Sequence, residues 1–230
     1  MKKLLYVGPS WAVRSFSQHS EDYPQPGENY TNLALELELD VVNLAQFGFS
    51  NQRCLNIIKN YNEPYDGIIW IYCEPIKDLD KLGHPTVENY LQSQNHLEIR
   101  LEISQKILRS ANELGQPIAV IGAHSDVENY NLDNITIIHP SWQQFLSNSV
   151  NISLNSRNIG WGAEAAQNYI GAYKNIKPAV SLVELTYDTL SAWEEMEKQQ
   201  VFCGCHPSRK GNELFAKHIQ KNVQSWLSTL

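Results

Sequence analysis

The sequence predicts an α/β fold built on a mainly parallel five-stranded sheet, and three observations carry that expectation. Gly67 to Cys73 (GIIWIYC) is an almost uninterrupted apolar run, as a central parallel strand buried on both faces requires. Short apolar runs alternate with stretches of helical periodicity along the chain, the pattern of parallel strands joined by right-handed crossovers. Leu4-Leu5-Tyr6-Val7 passes directly into Gly8-Pro9-Ser10-Trp11, so a strand ends in a tight turn that presents a serine. In open α/β sheets, chemistry gathers beyond the carboxyl ends of the strands.

The elements follow in order. Leu4 to Val7 is the first strand, and Arg14 to Glu28, broken by Pro24, Pro26 and Gly27, is an exposed loop. Tyr30, Leu33, Ala34 and Leu37 recur at helical spacing, giving a helix from Asn29 that ends before Asp40. Val41 to Ala45 is a second buried strand, and residues 46 to 51 form a turn. Leu55, Ile57, Ile58 and Tyr61 give the next helix its apolar side. The strand Gly67 to Cys73 ends in Glu74-Pro75, and a helix from about Val87 to Leu114 is capped by Gly115. Ile118 to Gly122 and Ile135 to Ile138 are the fourth and fifth strands. Helices are expected over Ala163–Tyr173, Val183–Gln199 and Ser208–Leu227, the last with Leu214, Phe215, Ile219, Val223 and Trp226 inward.

Composition narrows the function. At 230 residues, 42% hydrophobic and 19% charged, the chain suits one domain spanning residues 1–230. A net charge of −7 with no basic run argues against nucleic acid or an anionic membrane as partner. Neither an export segment nor a membrane span is legible, which points to a cytoplasmic protein, and four cysteines are too few for a disulfide scaffold. No Gly-rich phosphate loop follows the first strand, which disfavours a nucleotide-binding domain.

The order of motifs resembles the SGNH hydrolase superfamily, the GDSL-type esterases and lipases. Gly8-Pro9-Ser10-Trp11-Ala12 is similar to the family's serine block, with Pro9 where the family has aspartate. Gly48, within Asn43-Leu44-Ala45-Gln46-Phe47-Gly48-Phe49-Ser50, matches the glycine block. His206-Pro207-Ser208, followed by Gly211 and an apolar helix, matches the histidine end of the last block. The resemblance spans almost the whole chain and implies a flavodoxin-like three-layer α/β/α sandwich. Two positions depart from it: Cys203 stands where the family's aspartate precedes the histidine, and Cys73 or Glu74 where its asparagine follows the third strand.

The resemblance implies a role for each residue. Ser10 attacks an acyl carbon, and His206 takes its proton and returns it to the leaving alcohol. The backbone N–H groups of Ser10 and Gly48 stabilise the oxyanion, with Cys73 and Glu74 at the substrate side. Residues around Cys203 orient His206, through a backbone carbonyl, and Glu74 is a further candidate carboxylate. The expected substrate is a small-molecule or carbohydrate ester, an O-acetyl group being one example, with no cofactor and no metal.

Other readings of the same residues remain. Ser10 could serve as a helix N-cap. His139-Pro140-Ser141 repeats the His-Pro-Ser pattern, and His124 with Asp126 follows the fourth strand. Arg14, Arg53, Trp11, Trp142 and Trp161 are candidate pocket-lining groups. Cys203, Cys205 and His206 form a Cys-x-Cys-His cluster without a clear fourth ligand for zinc. The missing aspartate and asparagine also admit a catalytically impaired glycan-binding or assembly module.

Overall fold

A computed structural model describes residues 2–13, 32–75, 77, 78, 90, 92, 93, 95–124, 126–154, 180–203 and 206–230. Its elements are β1 (Leu4–Val7), α1 (Ser10–Val13), α2 (Leu33–Glu36), β2 (Val41–Asn43), α3 (Asn51–Lys59), β3 (Gly67–Tyr72), α4 (His96–Asn112), β4 (Ile118–Gly122) and β5 (Ile135–His139). There follow α5 (Trp142–Ser149), α6 (Val180–Lys198), β6 (Phe202–Cys203), β7 (His206–Pro207) and α7 (Arg209–Leu227). The first five strands form one sheet in the order β2-β1-β3-β4-β5, with every neighbouring pair parallel. This is the strand order of flavodoxin-like doubly wound sheets, and its switch point lies between β1 and β3.

Strand alternation divides the core into two layers. Leu4, Tyr6, Ile69, Ile71, Ala119 and Ile121 pack with residues of α2, α5, α6 and α7. Leu5, Val7, Ile68, Trp70, Tyr72, Ile118 and Val120 pack with residues of α3 and α4 on the other face. The expected α/β fold with a parallel five-stranded sheet covered on both faces is therefore present. No helix among the described residues is long and apolar enough to cross a membrane.

Several boundaries differ from the sequence-based expectation for physical reasons. β2 is an edge strand with Val41 and Val42 only half-buried, not a buried one, and it is shorter than expected because the Asn43 side chain turns back to accept from the Ala45 N–H at 2.9 Å. The described part of the second helix is the single turn α2, capped by Asn32, whose side chain accepts from the Leu35 N–H. It ends in a Schellman motif: Glu38, at φ 54°, donates to Leu35, and the Leu39 N–H reaches the Ala34 carbonyl at 3.0 Å. Within the helix expected from about Val87, Tyr90 and Gln92 are helical and the continuous helix α4 runs from His96; residues 79–89, 91 and 94 lie outside the described residues. Two elements went unread, α5 and the β6–β7 hairpin. The loop Arg14–Glu28, residues 29–31 and the helix expected over Ala163–Tyr173 lie outside the described residues.

Candidate active site

Ser10 leaves the sheet at the switch point because the chain before it must pass very close to its neighbours. A Cβ on Gly8 would lie 2.8 Å from the Cβ atoms of both Ala12 and Ile71, so only glycine lets β1 turn into α1 against β3. Ala12 donates to the Pro9 carbonyl at 2.9 Å and closes the first turn of α1, with Trp11 and Ala12 buried beneath it. Ser10 is therefore half-buried on a fixed turn.

The partner of the Ser10 hydroxyl comes from 196 residues away. The Nε2 atom of His206 lies 2.6 Å from Ser10 Oγ. Three local features hold His206 there. β6 and β7 pair antiparallel with Cys203 opposite His206 and Phe202 opposite Pro207. The Ser208 N–H donates to the Val201 carbonyl at 3.2 Å, and its hydroxyl donates to the Gln200 carbonyl at 2.6 Å. The same hydroxyl accepts from the Gly211 N–H at 3.1 Å, capping α7. With Ser10 donating, His206 carries its proton on Nδ1 and offers Nε2 as the acceptor.

Gly48 sits in the loop between β2 and α3, exposed and at φ 73°, a backbone conformation that favours glycine. Among the described residues, nothing lies within 4 Å of where its Cβ would be. The loop runs alongside the Ser10 turn, its Gln46 N–H donating to the Gly8 carbonyl at 3.2 Å.

Cys73 and Glu74, expected at the substrate side, face the protein interior instead. The Cys73 thiol is fully buried, its Sγ 3.5 Å from the Phe49 carbonyl, and burial pushes its pKa up to about 12. Glu74 is also fully buried, and its Oε1 accepts from Arg100 Nε of α4 at 2.7 Å. Burial pulls the Arg100 pKa down, but Glu74 and Tyr90 together outweigh it and leave the guanidinium above its ordinary value. The two positions are taken up by structure because an apolar strand end leaves no water to solvate a thiol or a carboxylate. Cys203 stands opposite His206, its thiol pushed up by burial and by the nearby charge of Glu197, so it is neutral where a carboxylate would be charged.

The rival histidines make different contacts. His124 is buried with its ring 4.3 Å from that of Trp11. His139 Nδ1 accepts from the Ser141 N–H at 3.2 Å, beside the rings of Phe215 and His218. Burial and then the charge of His218 lower the His139 pKa to about 4, Asp126 opposing them. Between the ordinary value near 6.5 and about 4, the unfolded chain binds a proton that the native site refuses. Stability therefore falls as the pH drops through that window. Discounted for partial solvent exposure, the loss is about 1 to 2 kcal/mol. The expected result is a thermal midpoint that drops from about pH 7 to about pH 4.5 more steeply in the wild type than in His139→Gln. Equal slopes in the two proteins contradict it.

Three residues that carried no sequence signal hold this region together. The Asn51 side chain, wholly buried, accepts from the Cys73 N–H and donates to the Cys73 carbonyl, both at 2.9 Å. Asp78 accepts from the Asn51 and Gln52 N–H groups at 3.1 and 3.0 Å, and Arg100 pairs with Glu74. A lone Asn, Asp or Arg in mixed sequence says nothing about its partner. Of the suggested pocket-lining groups, Trp11 and Trp142 are fully buried, Arg53 stacks over the Phe49 ring at 4.6 Å, and Arg14 and Trp161 lie outside the described residues. Among the described residues, no three His, Cys, Asp or Glu side chains converge as a metal site needs, and Cys205 lies outside them.

No family model matches the sequence, and no curated protein matches it. Solved structures do. The YxiM protein of Bacillus subtilis is 16% identical with a TM-score of 0.45, the match covering 98% of this chain and 57% of that one. This chain thus spans little more than half the length of that protein. A lipase/acylhydrolase from Enterococcus faecalis is 14% identical with a TM-score of 0.40, covering 98% and 96% of the two chains. LAE5, an α/β hydrolase enzyme from the metagenome of Lake Arreo, is 10% identical with a TM-score of 0.43, covering 97% and 95%.

Proposed function

We propose that the chain is a serine hydrolase of the SGNH type that cleaves a carboxylic ester of a small molecule or carbohydrate, with Ser10 as nucleophile and His206 as general base. The observation that carries the reading is the 2.6 Å contact between Ser10 Oγ and His206 Nε2, made across 196 residues at the switch point of the sheet. The order Ser10, Gly48, His206-Pro207 along the chain supports the family.

In the first half-reaction Nε2 accepts the hydroxyl proton as Oγ bonds to the acyl carbon, and the carbonyl electron pair moves onto oxygen. The N–H groups of Ser10 and Gly48 receive that oxyanion, a donor of this kind being worth about 3 kcal/mol. His206 returns the proton to the departing alkoxide, which leaves as the alcohol and an acyl-Ser10. Water then repeats the sequence, releasing the acid and restoring the hydroxyl. Cys203 in the aspartate's place leaves the imidazolium without the usual neighbouring carboxylate, which predicts modest turnover; orientation falls to the β6–β7 hairpin and its backbone carbonyls.

A fluorophosphonate probe tests the reading, since it modifies only a serine with an activated hydroxyl. One equivalent is expected to attach at Ser10 in the wild type. An unmodified Ser10 at saturating probe contradicts the reading and favours the glycan-binding or assembly module.

A further inference from the structure

We infer that Asn51 is a positioning residue that aims the Gly48 N–H at the reaction centre. The inference rests on the hydrolase reading above.

Gly48 stands between two anchors. On its amino side the Gln46 N–H is bound to the Gly8 carbonyl, which ties the loop to the turn that carries Ser10. On its carboxyl side each of the next three residues is fixed. The Phe49 carbonyl meets the Cys73 thiol at 3.5 Å, and the Ser50 side chain caps α3 by accepting from the Arg53 N–H at 3.3 Å. The Asn51 amide then closes a two-bond ring with the backbone of Cys73. Asp78 holds the same helix start by accepting from the Asn51 and Gln52 N–H groups.

The ring is the strongest of these ties. Both functional atoms of one wholly buried amide are matched to the N–H and the carbonyl of one residue at the end of β3. Each is held at good distance, and no shorter or purely apolar side chain can reproduce both. Gly48 itself is exposed, at φ 73°, and among the described residues nothing lies near its Cβ position, so no described side chain packs there to fix the peptide. Its orientation must come from the anchors on either side. An oxyanion donor works only if it is aligned before the charge appears, so slack at Asn51 becomes lost transition-state stabilisation. Asn51 cannot touch substrate, being buried behind the loop, and acts entirely through it.

The test uses the full chain and p-nitrophenyl acetate, at a temperature well below every variant's unfolding midpoint. Asn51→Ala is expected to lower kcat by about 10-fold to 100-fold, with KM within about twofold of wild type. Asp78→Asn, which surrenders one of two accepting oxygens, is expected to lower kcat by about threefold to tenfold with KM likewise held. It carries the test alone if Asn51→Ala does not fold. Ile107→Ala is the control: this residue is buried on α4 and makes none of the hydrogen bonds that hold the loop, so its truncation lowers the unfolding midpoint while leaving the Asn51 and Asp78 ties in place. A kcat for the Asn51 or Asp78 variant no lower than that of the control overturns the inference while leaving the hydrolase reading intact. Wild-type protein that neither turns over the ester nor takes the fluorophosphonate overturns both.

Discussion

Replacing either Ser10 or His206 by alanine is expected to lower kcat/KM for p-nitrophenyl acetate by about three orders of magnitude or more, with the double variant no worse than the single ones. The two side chains form one hydrogen-bonded unit at 2.6 Å, so either deletion disables the same step. Losses of this kind in acting pairs are strongly non-additive. Stability should hardly move. Ser10 and His206 are only half-buried, and one exposed-edge hydrogen bond contributes about 1 kcal/mol net. Equal rates for wild type and Ser10→Ala remove Ser10 from the mechanism, and additive losses in the double variant mean that the two do not act together. The pH profile is informative as well: activity should rise with a single ionisation as His206 becomes neutral and able to accept.

The largest expected effect on stability lies behind the site. Arg100→Leu leaves the fully buried Glu74 carboxylate without its counter-charge at 2.7 Å, and breaking a buried pair this way costs about 3 to 5 kcal/mol. The unfolding midpoint should fall by about 10 °C. Glu74→Gln on the same background removes the stranded charge and should recover a good part of the loss, because a neutral amide is far cheaper to bury than an ion. Urea denaturation of the three proteins measures both quantities. A loss below about 1 kcal/mol for Arg100→Leu contradicts the account of the pair as desolvated.

What was legible in the chain follows from how far each element depends on its own residues. β1, β3 and β4 are continuous apolar runs that any burial on two faces would demand, and they lie where expected. Helix α5 escaped because Gln143 and Ser147 are buried among its apolar residues. One is held by the Trp193 indole N–H at 2.9 Å, and the other donates to the Gln144 carbonyl at 3.0 Å. Polar residues inside a buried face erase the periodicity that marks a helix. The β6–β7 hairpin has two residues per strand, too few for any alternation to register. Val41-Val42 reads as buried because β-branched residues suit centre and edge strands alike, and only the sheet order shows that β2 is at the edge.

The candidate site divides along the same line. Ser10, Gly48 and His206 were singled out by the order of motifs that resembles the SGNH hydrolases, and the structure brings Ser10 and His206 within 2.6 Å of each other. Cys73 and Glu74 were assigned to the substrate side from their place after β3, but position along a strand does not say which way a side chain turns. Their partners Phe49, Asn51 and Arg100 decide that, and these pairings join residues 22 to 26 positions apart. Long-range polar pairing leaves no periodic trace in one sequence.

The central claim is that His206 makes Ser10 a nucleophile, and trapping the covalent intermediate tests it most directly. Wild-type protein quenched in acid during turnover of p-nitrophenyl acetate, then digested and weighed by mass spectrometry, should carry one acetyl group on the peptide containing Ser10. His206→Ala treated the same way should carry none. An acetyl group found on Cys203 or another residue instead, or turnover with Ser10 unmodified under conditions that stabilise esters, contradicts the account.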